Sequence, residues 1–259
     1  MKHGDFTKLA KHYINRPGYS LNALYVISNH IKCKLNKSDL FVADVGAGTG
    51  KLTENLSQMG FSGFAIEPND AMREEGMQYT LGKSFKWIKG SAEITTLPDN
   101  CVDWVLMGSS FHWTEIPVAL EEFSRILVPG GFFTAIWNPR DIDKSQFHKS
   151  IEEKINKIVP DIKRISSGSA ENMQGMDEKI LSTDFFCDLF FIEVPHTEIM
   201  SKERYIGAWK SVNDIRVQAG EERFQAIIEM IEKEILSMDN VETPYKSRAW
   251  TVQAKKTNT

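Results

Sequence analysis

Three glycines at alternate positions, Gly46, Gly48 and Gly50, follow a short apolar run that ends with Asp44 and Val45. Glycine adopts positive φ angles without strain and lets the backbone approach a ligand closely, because it has no Cβ atom. A loop of this kind could serve a nucleotide phosphate, a dinucleotide or a sulfonium nucleoside. The residues around the glycines separate these three ligands.

Two of the three ligands require residues that the loop lacks. A P-loop needs Gly-x-x-x-x-Gly-Lys followed by Ser or Thr, but the gap from Gly46 to Gly50 is one residue short and Leu52 occupies the position of the magnesium-binding hydroxyl. A dinucleotide loop needs Gly-x-Gly-x-x-Gly, and Lys51 stands at its third glycine position. The spacing therefore disfavours ATP and GTP. It also makes a sulfonium nucleoside a better candidate than a nicotinamide cofactor.

A carboxylate stands where it could bind the ribose of such a cofactor. The second apolar run ends at Glu67 and Pro68, about 20 residues beyond the loop. An acid at the end of the second strand can accept hydrogen bonds from both ribose hydroxyls of an adenosine cofactor. The alternative is a helix cap or a solvated acid, and the nearby loop favours the ribose contact.

The elements that must position these residues follow from hydrophobic periodicity. Strand-length apolar runs alternate with helix-compatible stretches, which predicts βαβ units around a parallel sheet. We predict an α/β fold: a Rossmann-like, seven-stranded, mostly parallel sheet with helices on both faces and a helical cap. The predicted strands are 40–46, 63–68, 85–90, 101–110, 132–138, 190–200 and 242–255, and the predicted helices are 51–60, 70–82, 116–131, 201–212 and 221–238.

Asp70 is the predicted N-cap of the second of these helices, and Pro129-Gly130-Gly131 is predicted to close the third. Residues 141–183 are polar and suggest helical segments around a loop that holds Met173 and Met176; a mobile substrate lid and a plain surface loop explain that loop equally well. We expect one structural domain with three parts: a lid and cofactor-binding core at 1–140, a cap at 141–240 and a last core strand at 241–259.

Several segments resemble motifs of class I S-adenosylmethionine (SAM)-dependent methyltransferases of the small-molecule type, the UbiE, trans-aconitate methyltransferase and methyltransferase type 11 group. The glycine loop after Asp44 resembles their first motif. Segment 89–113, where Ser91-Ala92-Glu93 precedes Leu-Pro and an apolar strand, and segment 121–137 around Val-Pro-Gly-Gly resemble their central motifs. The resemblance spans most of the chain and is weakest at 141–185.

The resemblance implies SAM as cofactor and S-adenosylhomocysteine as its product. It places Ser91, Ala92 and Glu93 beside the adenine; many relatives carry Asp in place of Ser91, so that contact would be weaker or made by the backbone. The predicted cofactor-binding residues are Tyr13, Arg16, Asp44, Gly46, Ala47, Gly48, Gly50, Glu67, Pro68, Ser91, Ala92, Glu93, Met107, Gly108 and Ser109.

The N-terminal segment 12–20 is similar to an arm that folds over the cofactor in the same group. Its Pro17-Gly18 pair interrupts any helix that runs from the start of the chain. Tyr13 and Tyr19 would supply aromatic cover, and Arg16 could pair with the carboxylate of the methionine part of SAM. The alternative is a surface arm whose tyrosines pack on the sheet edge.

His112 is the candidate catalytic residue, because it follows the fourth strand, and ligands of open α/β sheets lie beyond the carboxyl ends of strands. It could act as a general base or orient the acceptor, and as a base it would make the rate rise through the ordinary histidine pKa. The alternative is that it holds the loop by hydrogen bonds while its aromatic neighbours pack.

An aromatic and polar set in the cap favours a ring-containing acceptor, although helix packing explains Tyr205 and Trp209 equally well because they are four residues apart. Lys210 and Trp250 belong to the same set. The predicted substrate residues are Tyr19, Trp113, Tyr205, Trp209, Asn213 and Arg248.

The composition and net charge of the chain limit the classes of partner and substrate that we expect. A net charge of −4 and a pI of about 5.9 disfavour nucleic acid as a substrate. The start of the chain shows no signal-peptide pattern and no run has the length of a membrane span, so we expect a cytoplasmic protein with reduced cysteines, no metal and a small-molecule methyl acceptor. A catalytically silent SAM-binding regulator, a nicotinamide oxidoreductase and a methyltransferase that modifies proteins remain alternatives.

Overall fold

The computed structural model describes residues 10–160, 162–163 and 173–255. One sheet has the strand order β3-β2-β1-β4-β5-β7-β6, in which neighbours among the first five strands are parallel and β7 runs antiparallel to both β5 and β6. The predicted seven-stranded, mostly parallel sheet is confirmed. Its strands are β1 Phe41–Val45, β2 Ser62–Ile66, β3 Phe85–Ile88, β4 Val102–Gly108, β5 Leu127–Trp137, β6 Phe186–Met200 and β7 Val241–Ala254.

Helices cover the sheet and extend beyond one end of it. None of the helices within the described ranges has both the length and the apolar character that crossing a bilayer requires. A short 3₁₀ turn at Phe111–Trp113 follows β4. The helices are α1 Ala10–Tyr13, α2 Leu21–Leu35, α3 Lys51–Gln58, α4 Asp70–Tyr79, α5 Ile116–Ile126, α6 Gln146–Ile158, α7 Met176–Ile180, α8 Lys202–Lys210 and α9 Asn213–Glu234.

Several predicted boundaries are wrong. β6 begins at Phe186 rather than at residue 190, and α9 begins at Asn213 rather than at residue 221. Asn69, not Asp70, caps α4, because the Asn69 side chain accepts the backbone N–H of Met72. The segment 127–131 belongs to β5 rather than to the preceding helix. Cys101 donates its backbone N–H to the carbonyl of Ile126, and a register shift in the pairing of β4 with β5 accommodates the Pro-Gly-Gly sequence.

Three apolar clusters fix the layers. On one face of the sheet, α2 buries Leu24, Ile27 and Ile31, which share one helix face and pack in a cluster with Trp104. Burial of each such side chain contributes about 1.5–3 kcal/mol. The other face is covered by α5 and α7, and α6, α8 and α9 form a separate cluster with the ends of β6 and β7.

Met173 and Met176 are both buried in the cluster of α5 and α7, with exposed fractions of 6% and 1%. A plain surface loop at these two residues is therefore wrong. The segment between residues 163 and 173 lies outside the described residues, so the lid interpretation of that part stays a prediction.

Candidate active site

The glycine loop has the backbone conformation that its sequence requires. Gly46, Gly48 and Gly50 have φ angles of +68°, +58° and +82°, values that other residues rarely adopt. The N–H groups of Gly46 and Ala47 both donate to the carbonyl of Ile66, at 2.8 and 3.0 Å. These bonds curl the loop over the end of β1 and against β2.

Close packing reinforces the need for glycine at the first position. A Cβ atom on Gly46 would lie 2.7 Å from Ser110 Oγ and 3.3 Å from the terminal methyl of Met107. The loop and the carboxyl end of β4 are therefore in contact. A side chain at Gly46 would both strain the backbone and push these neighbours apart.

Asp44 lies at the centre of the sheet with no solvent exposure. The Thr53 hydroxyl donates to its Oδ2 atom at 2.6 Å, while Oδ1 has no hydrogen-bond partner among the described residues. Burial raises the pKa of Asp44 to about 7, against the opposing effect of the Thr53 bonds and with a smaller contribution from the charge of Glu67. The core thus holds a carboxyl group with one oxygen left to bind something else.

Glu67 closes the loop from the other side. Its Oε2 accepts the Gly48 N–H and its Oε1 accepts the Asn69 N–H, both at 2.8 Å. A carboxylate oxygen has two lone-pair sites and can accept hydrogen bonds from more than one donor. Glu67 therefore shapes the loop and remains a candidate for the ribose contact; its neighbour Pro68 is exposed.

We expect Glu67→Gln to weaken SAM binding by about one to two decades in Kd, because the charge-assisted part of the ribose contact is lost while one carbonyl oxygen remains for the loop. Calorimetric titration with SAM measures the effect. Asp70→Asn, in the next turn, is the matched control: its carboxylate is exposed and pairs with Arg73 and Lys89, and SAM affinity should not change. Equal affinity of Glu67→Gln and the wild type would remove Glu67 from the site.

The predicted adenine segment forms a tight turn. Ser91 donates its N–H to the carbonyl of Ile94, and its hydroxyl accepts the N–H of Ile94 at 3.3 Å. Glu93 accepts the N–H of Glu115, which precedes α5, and Ala92 is buried. Ser91 and Glu93 thus have structural partners, and their contact with an adenine stays a prediction.

The arm lies across the carboxyl edge of the sheet. Tyr19 is buried; its hydroxyl donates to Ser109 Oγ at 3.0 Å, and its backbone N–H donates to Asn55 Oδ1 at 2.7 Å. The Asn138 side chain donates to the carbonyl of Gly18. A Cβ atom on Gly108 would lie 2.6 Å from the Tyr19 hydroxyl, which explains the glycine there. The arm is therefore fastened to the ends of β4 and β5.

Arg16 joins the arm to the cap. Its Nε and one terminal nitrogen donate to Ser211 Oγ and the Ser211 carbonyl, at 2.9 and 3.0 Å, and its guanidinium lies 3.9 Å from the centre of the Tyr13 ring. Pairing of Arg16 with the carboxylate of SAM stays a prediction, and it would have to compete with the Ser211 contacts.

His112 lies among aromatic rings with both ring nitrogens buried and without hydrogen-bond partners in the described part of the chain. Its ring centre is 4.7 Å from that of Trp113 and 6.2 Å from that of Trp137. Burial, with a smaller effect of the Lys179 charge, lowers the pKa of His112 to about 4. The ring is neutral at pH 7, and among the described residues no hydrogen bond of the ring holds the loop.

The structure separates the predicted substrate residues. Arg248 forms an ion pair with Glu193 at 3.0 Å and lies against the Trp250 ring, which meets Trp137 edge-on at 5.6 Å. Tyr205 and Trp209 are buried in the cap cluster, whereas Asn213 is exposed at the start of α9. Arg248 and the exposed Trp113 thus lie in the aromatic group around Trp137, whereas Tyr205 and Trp209 lie in the separate cap cluster.

Four residues that border these groups were not predicted as site residues from the sequence: Trp137, Arg140, His148 and Tyr245. Trp137 and Arg140 lie at and just beyond the carboxyl end of β5, where ligands of open α/β sheets bind. Their position in the sequence could therefore have marked them as candidate site residues. His148 and Tyr245 come from α6 and β7 and meet Arg140 only in the folded chain. No local pattern marks them.

Comparisons with known proteins agree with this geometry. Residues 43–135 match a family model described as a methyltransferase domain. An uncharacterized methyltransferase of Mycobacterium bovis is 39% identical over 100 residues, which are 39% of this chain and 40% of that protein. A ubiquinone/menaquinone biosynthesis C-methyltransferase of Rhodopseudomonas palustris is 28% identical over 145 residues, covering 53% of this chain and 57% of that protein.

A solved structure of a provisionally described type II methyltransferase from Anaeromyxobacter dehalogenans covers 93% of this chain and 97% of its own, with a TM-score of 0.59 and 17% identity. That likeness extends the agreement in fold to the cap. The sequence matches span 40% to 57% of the curated relatives' length. Residues 43–135 therefore form a methyltransferase domain, and the chain has the Rossmann-like fold of class I, SAM-dependent methyltransferases.

Proposed function

We propose that this protein transfers the methyl group of SAM to a small-molecule acceptor. The observation that carries the proposal is the fully buried Asp44 carboxyl group, two residues before the glycine loop, whose Oδ1 has no hydrogen-bond partner in the part of the chain that the structure describes. Such an atom costs free energy unless a ligand bonds to it. The ammonium group of SAM's methionine part is a cationic donor suited to that oxygen.

The remaining residues fit the same cofactor. The glycine loop allows close approach without a Cβ atom, and SAM carries no phosphate that would require a lysine or a magnesium-binding hydroxyl. The Glu67 carboxylate lies at the end of β2, where an acid can accept hydrogen bonds from ribose hydroxyls. Tyr13, Arg16 and the rest of the arm, Met107 to Ser109, and Ser91 to Glu93 complete the proposed SAM site.

SAM supplies, when bound, a methyl group on a sulfonium that is displaced in line. The chain itself would align the acceptor, exclude water and accept a proton where the acceptor carries one. The buried Tyr19, held on Ser109, covers the end of β4 against water. Neutral His112 can receive a proton or a hydrogen bond at either ring nitrogen, depending on its tautomer.

We expect His112→Ala to lower turnover at least about tenfold with little change in SAM affinity, since general bases contribute two to four decades where they act. Because the pKa of His112 is about 4, the ring is neutral from about pH 5 upward. The pH–rate profile should therefore be flat from pH 6 to 8 instead of rising through the ordinary histidine range. A pH series of turnover and a SAM titration measure both effects.

His112→Phe is the matched control, because it keeps an aromatic ring beside Trp113 and Trp137 and removes both nitrogens. If His112 acts through its nitrogens, the Phe variant loses as much turnover as the Ala variant. Near-normal turnover of His112→Phe would show that the ring only packs.

The function is tested by incubating the protein with methyl-labelled SAM and a small-metabolite extract, followed by identification of the labelled product. We expect label in a low-molecular-weight product and release of S-adenosylhomocysteine. SAM binding without any labelled product would favour a silent SAM-binding protein, and label in protein would favour a macromolecular acceptor.

A further inference from the structure

A half-buried guanidinium that faces aromatic rings lies just beyond the end of β5. The Arg140 guanidinium is 4.0 Å from the centre of the Trp209 ring and 6.0 Å from that of Tyr205. Its Nε donates one long hydrogen bond, 3.5 Å, to the Tyr245 hydroxyl. Glu152 acts on it electrostatically, but no carboxylate within residues 10–160, 162–163 and 173–255 forms an ion pair with it.

Beside Arg140, His148 Nε2 is buried without a hydrogen-bond partner within the described ranges, and the buried Tyr205 hydroxyl interacts with the Trp209 side chain and keeps its own hydrogen to donate. The two residues are 2% and 0% exposed, and their ring centres are 6.0 Å apart. An unpaired buried polar atom costs about 1–3 kcal/mol. Arg140, His148 and Tyr205 therefore form an incompletely satisfied group between β5, α6 and α8.

The tautomer of His148 follows from its neighbour. Ser145 Oγ accepts the backbone N–H of His148 at 3.3 Å and lies 2.8 Å from His148 Nδ1. When the hydroxyl hydrogen of Ser145 goes to Nδ1, the ring proton must sit on Nε2. Nε2 is then a donor, like the guanidinium and the Tyr205 hydroxyl, and the group presents three kinds of donor to one ligand.

The local charge indicates a monoanion. Lys246 is paired with Asp141 at 3.1 Å, and burial and the Arg140 charge lower the pKa of His148 to about 4, so that this ring is neutral at pH 7. Arg140 supplies one positive charge, and its planar donors match the two oxygens of a carboxylate. A phosphate dianion would leave one charge uncompensated in this half-buried place.

We propose that Arg140, His148, Tyr205 and Tyr245 bind a carboxylate group of the methyl acceptor. This inference rests on the proposed function. Arg140 is three residues beyond Trp137, a distance of at most about 11 Å along an extended chain, and Trp137 neighbours His112. An acceptor held at Arg140 by its carboxylate could thus extend toward His112 and the end of β4, with the Trp209 and Tyr205 rings against its carbon skeleton.

The binding step is tested without SAM. The protein is titrated with benzoate, succinate and phosphate at constant ionic strength, and the melting temperature and tryptophan fluorescence are recorded. We expect the carboxylates to raise the melting temperature and to change the fluorescence, and phosphate to have the smaller effect. Arg140→Met should weaken carboxylate binding at least about tenfold.

Two variants keep the test decisive. Tyr205→Phe removes a hydroxyl whose partner in the protein is the Trp209 side chain, so it should fold about as stably as the wild type and yet bind carboxylates about three- to tenfold more weakly. Arg216→Met is the matched control: Arg216 also lies over an aromatic ring, 4.6 Å from the centre of Phe224, and is paired with Glu221 at 3.5 Å. This control should bind carboxylates like the wild type.

Equal carboxylate binding by the wild type, Arg140→Met and Tyr205→Phe would overturn the proposal, as would a stronger response to phosphate at the same residues. Carboxylate binding that depends on Arg140, in a protein that transfers no methyl group, would retain the anion site and reject the methyltransferase activity. Methyl transfer to a neutral acceptor, unaffected by Arg140→Met, would reject the anion site alone.

Discussion

Asp44→Asn should make the ligand-free protein more stable at pH 8 by about 1–3 kcal/mol and should weaken SAM binding by about one to two decades. The stability gain arises because the variant no longer buries a charge. The binding loss arises because Asn offers a neutral oxygen in place of the carboxylate proposed to accept the SAM ammonium group. The two effects have opposite directions, which a general disturbance of the core would not produce.

The sign of the pH dependence follows from the raised pKa of Asp44, about 7 in the folded chain against 3.8 for the ordinary group. Between these values the folded state binds more protons than the unfolded state, so the contribution of Asp44 to stability falls as the pH rises from about 4 to 7. This part of the decline should be absent in Asp44→Asn. Urea unfolding at pH 5 and pH 8 measures it.

Asp103→Asn is the matched control, because Asp103 is also a buried strand carboxylate but accepts the Phe41 N–H and pairs with Lys37 at 2.5 Å. It should lower stability at pH 8 and leave SAM affinity unchanged. If Asp44→Asn also destabilises the protein at pH 8, the raised pKa is wrong. If it binds SAM normally, the proposed ammonium contact is wrong.

The features of this fold that could be predicted from the sequence depend on neighbouring residues. Apolar periodicity marks each strand, and three glycines at alternate positions fix the positive φ angles of the loop over β1. The start of β5 could not be predicted because Pro129 and Gly130 are ordinary signals of a helix end. Pairing with β4 outweighs that local preference, since Cys101 bonds to the carbonyl of Ile126.

The candidate site shows the same division. Asp44 and Glu67 stand at strand ends within one βαβ unit, so their spacing indicates a common site. The neighbours of Arg140 come from α6, α8 and β7, and only the cap brings them together. The low pKa of His112 also depends on distant residues, because burial under Trp137 and the charge of Lys179 determine it. A sequence motif cannot report such an environment.

Deleting residues 1–17 should lower turnover about a hundredfold or more and weaken SAM binding, while the melting temperature of the sheet changes little. The deleted part includes Arg16, which holds the arm to Ser211, and residues 1–9, which lie outside the described residues. The deletion keeps Gly18, Tyr19 and Ser20. This boundary matters because Ser20 caps α2 and bonds to Ser247, so a deletion through residue 20 would also disturb the helix.

A lid excludes water from the sulfonium, and the contacts it makes with the ligand must offset the cost of ordering it. Saturating SAM or S-adenosylhomocysteine should therefore suppress chymotrypsin cleavage after Tyr13 and trypsin cleavage after the exposed Lys11.

Tyr19→Phe removes the hydrogen bond to Ser109 and nothing else of the arm. We expect it to lower turnover about fivefold, the effect of one net hydrogen bond near 1 kcal/mol, with SAM affinity reduced less than in the deletion. Cleavage at equal rates with and without ligand, together with full turnover of the shortened chain, would show that the arm is no lid and only connects α2 to the cap.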